Sequence, residues 1–220
     1  MEDSKKNKIN IGLAIIVAGV IIAGAILLRG SKPVDTNTDD AFKLSEEEQF
    51  LGDKNAPITY IEYGDYQCPV CGYFFTTVVS QLKKDYIDTG KVKFVFRGFQ
   101  FLGPESFDAA NAVLCAKEQG KFWEFNDAIL NAEIKDGKEH NGNLNKDLFL
   151  KIATDVGIAD KDSFIACSDN GKYAEKIKED SQKINESGIN STPTSVINGQ
   201  VIVGVDYARI KNVIETILKK

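Results

Sequence analysis

The chain has 220 residues, 43% of them hydrophobic and only five of them proline, enough for one domain with a sizeable core plus appendages. It carries 27 basic and 32 acidic side chains, for a net charge of −5. Beyond residue 32 the balance is −8 with no basic stripe, which excludes the electrostatic footprint of a nucleic-acid-binding protein.

The first element is an apolar run, Ile11 to Leu28, of 18 residues without a charge. As a helix it spans roughly 27 Å, close to the hydrocarbon thickness of a bilayer. Lys5, Lys6 and Lys8 precede it, which favours a cytoplasmic N-terminus (1–10) and export of the rest of the chain. The run is too long for a signal-peptide core and ends in Leu27-Leu28-Arg29-Gly30, without a small-x-small cleavage site. It is therefore read as a single-pass membrane anchor at 11–28. Residues 29–49 are polar and acidic, a tether in which "SEEEQF" has the pattern of a short capped helix.

From residue 50 the composition is that of a folded domain. "ITYIEYG" is β-branched and aromatic and predicts a strand. Pro69 to about Asp88 predicts a helix, with proline where a missing N–H does no harm and Gly90 just past the end. "KVKFVFRGF" predicts a second strand. Apolar residues spaced three or four apart make 105–190 helical, with "KDGKEHNGNLNK" as an interrupting loop. "TPTSVINGQVIVGV" is a hairpin around Asn198-Gly199, and "DYARIKNVIETILKK" a closing amphipathic helix. Phe122 and Trp123 read as core.

Four cysteines in an exported segment make disulfides the default expectation. Cys68 and Cys71 form a C-x-x-C at the start of the predicted helix, where free N–H groups favour a thiolate on the first of them. Cys68 is thus the candidate nucleophile, and Cys71, one turn inside, the candidate resolving thiol. A purely structural crosslink gains little from so small a ring. Zinc needs four ligands, and Cys115 and Cys167 lie far apart on separate predicted helices, with the single histidine, His140, in a polar loop.

"YIEYGDYQCPVC", "FRGFQFLGPESFDAANAVLCAKEQGKFWEFNDAIL" and "FIACSDNGKYAEKIKEDSQKINESGINSTPTSVINGQ" together resemble the DsbA-like branch of the thioredoxin superfamily, over about Phe50 to Leu218. The resemblance implies an α/β thioredoxin fold with a helical domain inserted at about 104–188. It implies protein thiol–disulfide exchange at Cys68 and Cys71 with no cofactor, the dithiol itself carrying two electrons. It also implies unfolded or reduced secreted proteins as substrates and a membrane quinone-linked oxidoreductase as the reoxidising partner. The tether is too short and polar to be a dimerisation domain, so a monomer is expected.

The resemblance assigns further residues. Glu62 matches a buried acid beneath the dithiol that would take the proton from Cys71 during exchange; alternation with Ile61 and Tyr63 alone leaves it on either face of the strand. Pro193 matches a cis-proline facing the dithiol, its alternative being a trans turn proline. Thr192 before it would pair its backbone with an extended substrate. Cys115 and Cys167 match a second disulfide found in part of the family, closing a loop that is worth roughly 4 kcal/mol in chain entropy; two buried thiols are the alternative. The dipeptide Pro69-Val70 departs from the Pro-His of strongly oxidising members, which bears on the strength of oxidation and not on the exchange chemistry. The chain is read as an oxidase that introduces disulfides, the alternatives being a membrane-tethered reductase or isomerase and a non-enzymatic surface binding module.

Overall fold

The computed structural model describes residues 42–45 and 47–219. The cytoplasmic segment, the anchor at 11–28 and the tether as far as residue 41 lie outside the described residues. Among the described residues no helix is long and apolar enough to cross a membrane.

Five strands form one sheet in the order β1-β3-β2-β4-β5: β1 (Phe50–Leu51), β2 (Ile58–Gly64), β3 (Val92–Gly98), β4 (Thr194–Ile197) and β5 (Gln200–Val203). β2 and β3 run parallel and are joined by a helix, α1 (residues 69–87), as a parallel pair requires. The other pairings are antiparallel. Between β3 and β4 comes the helical insert: α2 (Pro104–Lys117), α3 (Phe122–Asp136), α4 (Lys146–Asp155), α5 (Lys161–Asp169) and α6 (Ala174–Glu186). The chain closes with α7 (Tyr207–Leu218). This is the thioredoxin-like fold with a helical insert.

The central strand β2 explains its own composition, because both its faces are covered. Ile58 and Tyr60 join the main core with α1, the insert and α7, while Ile61 and Tyr63 pack with Phe99, Ile184, Ile189 and Val196 on the other side. The β4–β5 hairpin turns through Asn198 (φ 44°) and Gly199 (φ 86°), the two left-handed positions that a two-residue turn demands.

Two features depart from the expectations. The helix predicted from Pro69 forms, but its middle (Phe74–Val79) and end (Lys83–Ile87) widen into π-helical turns. The run Thr76-Thr77-Val78-Val79 is β-branched, and both threonine hydroxyls donate to carbonyls a turn back, Thr76 to Gly72 (2.9 Å) and Thr77 to Tyr73 (2.5 Å). The "SEEEQF" helix is replaced by a turn, Glu48 N–H to Ser45 O, followed by β1. Glu48 instead reaches Arg97 (2.6 Å), which also bonds the Lys43 carbonyl, while Phe42 and Leu44 pack on the Ile61–Tyr63 face. Residues 42–45 and 47–49 thus lie against the domain as a strap. Tertiary contact outcompeted a weak local helix signal.

The insert meets α1 at Gly72. A β-carbon there would sit 2.7 Å from the Leu130 carbonyl and 3.2 Å from the Ile134 side chain, so α3 lies directly on the first turn of α1. Gly72→Ala is expected to destabilise by about 1–3 kcal/mol through forced separation of these helices, read as a lower urea midpoint at unchanged slope.

Candidate functional site

The site is assembled where β2 ends. Ile58, Tyr60, Glu62 and Gly64 share the face towards α1, because side chains alternate along a strand. That places Glu62 inside the protein, fully buried, between Phe96 of β3 and Ser195 of β4 in the sheet register. Neither carboxyl oxygen has a hydrogen-bond partner. Gly64, at the end of the same face, leaves room that a side chain would fill: a β-carbon there would stand 2.7 Å from the Phe96 ring and 3.7 Å from Cys71 Sγ.

A tight turn then delivers the chain into α1. Asp65 Oδ1 accepts from Gln67 N (2.8 Å) and the Asp65 carbonyl from Cys68 N (3.1 Å). The same carboxylate accepts from Phe101 N (2.8 Å), Leu102 N (3.1 Å) and Ser106 Oγ (2.5 Å), fastening the turn to the loop that opens the insert. Cys68 caps the helix with extended geometry, and its carbonyl accepts from Cys71 N and Gly72 N. Both cysteines are thiols in this structure; Cys68 is 6% exposed and Cys71 wholly buried. Pro69 begins the helix and Val70 turns its side chain to solvent, half exposed.

The opposite wall is the start of β4. The Thr192–Pro193 peptide is cis, and the Thr192 carbonyl lies 3.9 Å from Cys68 Sγ. Pro193 O accepts from Gly204 N (2.9 Å), which ties this corner to the end of β5. Cys115 of α2 and Cys167 of α5 are joined as a disulfide with Cα atoms 5.9 Å apart, well away from the dithiol along the chain and within the insert.

The electrostatics separate the two thiols. Hydrogen bonding from the Cys71 thiol, with smaller help from the Cys71 and Val70 N–H groups and Thr192, brings Cys68 down to about 7 against the opposition of burial. Burial pushes Cys71 well up, and the neighbouring Cys68 and Glu62 push it further. Burial also raises Glu62 well above the ordinary carboxylate range, with the charge of Cys68 adding to it. The arrangement sets a thiol that favours its thiolate, almost covered, beside a buried thiol and a buried carboxyl that both favour their protonated forms.

Sequence reasoning credited the helix start with stabilising the Cys68 thiolate; in the structure the Cys71 thiol contributes more. It passed over Asp65, although "GDYQC" carries the signature of an Asx turn, and over Gly64 and Ser195, whose importance is visible only once strands are in register.

A thioredoxin family model (Thioredoxin_4) matches residues 44–216. Disulfide bond formation protein D of Bacillus subtilis is 31% identical over 172 residues, covering 77% of this chain and 76% of its own. Among solved structures, oxidised BdbD from Bacillus subtilis gives a TM-score of 0.69 at 30% identity, covering 79% of this chain and 94% of that one. α-DsbA1 of Wolbachia pipientis gives 0.69 at 29% identity, covering 79% and 92%.

Proposed function

Because the chain belongs to the thioredoxin family and is a DsbA-like protein thiol–disulfide oxidoreductase, we propose that it is an oxidase that introduces disulfides into exported proteins, acting as a monomer outside the membrane that its N-terminal segment spans. A substrate thiolate attacks Cys68 Sγ of the Cys68–Cys71 disulfide. The enzyme's S–S bond breaks, and Cys71 leaves with the proton that Glu62 holds. A second substrate thiol, its proton lost to solvent, then attacks the substrate sulfur of the mixed disulfide, and Cys68 departs as a thiolate. Two electrons have passed from substrate to enzyme. A membrane quinone-linked oxidoreductase, by family analogy, takes them away. The backbone of Thr192, ahead of Pro193, pairs with the extended substrate, and Pro69-Val70 tunes the potential.

The observation that carries the reading is the likeness to disulfide bond formation protein D and to oxidised BdbD of Bacillus subtilis. The lowered Cys68 beside a raised Cys71 supports Cys68 as the sulfur that is attacked and later leaves. The test is the reduction potential of the pair in the full-length protein. A value between about −120 and −180 mV supports an oxidase, while one near −270 mV makes the protein a reductase. The anchor has its own test, since mature protein found free of the membrane after cell fractionation would remove it.

A pH titration checks the thiol directly. Alkylation of Cys68 in the dithiol form is expected to rise to a plateau with a midpoint near 7, and Cys71 is expected to stay unreactive across that range. The folded value lies below that of an unfolded thiol. The Cys68 contribution to the stability of the reduced protein therefore grows as pH rises from about 7 towards the unfolded value of about 8.5 and disappears as pH falls through 7, while the raised Glu62 and Cys71 act in the opposite sense.

A further inference from the structure

One buried polar pair takes no part in this exchange chemistry. The Tyr60 hydroxyl and Ser195 Oγ are 2.6 Å apart, and both residues are fully buried. Ser195 is the direct cross-strand partner of Glu62, and Tyr60 precedes Glu62 by two residues on the same strand. Directly opposed residues of an antiparallel pair put their side chains on the same face, with β-carbons about 5 Å apart. The Tyr60–Ser195 hydrogen bond fixes that face as the one carrying Glu62.

The need for such a pair comes from Glu62. When it gives its proton to the departing Cys71, a carboxylate is left in a site where its oxygens have no partner. The groups around it are Tyr60 from β2, Tyr66 from the following turn, Cys68 and Cys71 from α1, Phe96 from β3 and Ser195 from β4, and none of these is a cation. An isolated carboxylate in such surroundings costs several kcal/mol unless a donor turns to it.

We propose, resting on the role of Glu62 as proton donor to Cys71, that Ser195 and Tyr60 are positioning residues that supply this donor: Tyr60 donates to Ser195, and Ser195 turns its own O–H to the Glu62 carboxylate once the proton has gone to Cys71. The hydrogen count requires a spare. Two hydroxyls carry two hydrogens, and one hydrogen bond between them uses only one. The phenol is the stronger acid and the better donor, which leaves the serine hydrogen free. Ser195 is also the nearer of the two to Glu62 in the sheet register. No proton leaves either hydroxyl and no bond other than hydrogen bonds changes. The proton moves only between Glu62 and Cys71, returning to Glu62 when Cys71 attacks during reoxidation. The pair thus lets a carboxyl group alternate between its two states inside a core that offers it nothing else.

The test is infrared spectroscopy of the Glu62 carboxyl in the full-length reduced protein in detergent, recorded against pH. The band is identified by its absence in Glu62→Gln. Ser195→Ala is expected to move the Glu62 midpoint upwards by about one pH unit, a tenfold change, because the carboxylate loses a charge-assisted hydrogen bond. Tyr60→Phe, which leaves the serine donor in place, should move it in the same direction by only about threefold. Ser195→Thr, which keeps the hydroxyl, should restore the wild-type midpoint. A structural role in packing would not produce that order. An unmoved midpoint in Ser195→Ala, or equal shifts in Ser195→Ala and Tyr60→Phe, overturns the proposal. If Ser195→Ala does not fold, Tyr60→Phe decides, and an unmoved midpoint there has the same consequence. The underlying reading fails separately: it falls if Glu62→Gln reduces its disulfide with dithiothreitol at the wild-type rate, whatever the infrared midpoints show.

Discussion

Glu62→Leu is expected to make the protein more stable and less active at once. The carboxyl group is fully buried and its oxygens are unpartnered, so its desolvation is uncompensated, whereas leucine has a similar volume and nothing to desolvate. Leaving a buried polar group unsatisfied costs about 1–3 kcal/mol, which leucine avoids, and the neighbouring Phe96 offers an apolar surface to receive it. The gain should depend on pH. Burial raises Glu62 in the folded state above its value in the unfolded chain, so the folded protein binds the extra proton in the window between the two. Wild-type stability therefore falls as pH rises from about 4.5 into that window, and the variant lacks this slope, so the advantage of leucine is smallest in acid and grows with pH. Urea unfolding of the disulfide form, in which neither Cys68 nor Cys71 titrates, isolates this effect. Activity should move the other way. Without a proton to give, the departing Cys71 carries its charge into a buried site, and loss of a positioned general acid costs about 10²–10⁴ in rate. A variant that is both less stable and fully active would contradict the role given to this residue.

The fold could be read from local patterns because its elements are locally consistent. The β-branched strands, the Pro69 helix start and the Asn198-Gly199 turn each carry their own signal, and each forms where it was expected. What escaped was decided by tertiary contact. Phe50–Leu51 is a strand only because β3 offers it an edge, and two residues have no periodicity to detect. The strap at Glu48 exchanges a helical turn for an ion pair with Arg97. The same division holds in the site. Cys68 and Cys71 announce themselves by spacing, and Glu62 only by resemblance, since alternation along β2 cannot say which face is covered when both are. Ser195 lies 133 positions from Glu62 and becomes its neighbour only through the register of β4. Gly64 and Gly72 look like ordinary glycines until the Phe96 ring and the Leu130 carbonyl are put beside them.

Asp65→Ala is expected to be the most destabilising single change at the site, at about 3–5 kcal/mol. Its carboxylate accepts four hydrogen bonds, from Gln67 N, Phe101 N, Leu102 N and Ser106 Oγ, and the residue itself is fully buried. Alanine leaves all four donors without an acceptor. Gln67 and Ser106 are shut away from water, whereas Phe101 is nearly half exposed and its loop can recover part of the loss by hydration. Asparagine is not a conservative replacement here. Every partner is a donor, and an amide offers one acceptor oxygen where the carboxylate offers two, turning its own N–H₂ towards the remaining donors. Asp65→Asn should therefore lose about 2 kcal/mol or more. The damage should be local before it is global. The ladder between β2 and β3 does not depend on the carboxylate, while the turn that carries Cys68 and the loop at 99–103 meet through it. Hydrogen exchange gives the check: the amides of Gln67, Cys68, Phe101 and Leu102 should lose protection in Asp65→Asn while those of Ile61 and Val95 keep theirs. Uniform loss across both groups would mean that Asp65 stabilises the fold as a whole and does not specifically hold the Cys68 turn. With protection lost only at the turn, the alkylation midpoint of Cys68 should broaden and rise, because Cys68 no longer holds one position against the Cys71 thiol and the N–H groups that favour its thiolate.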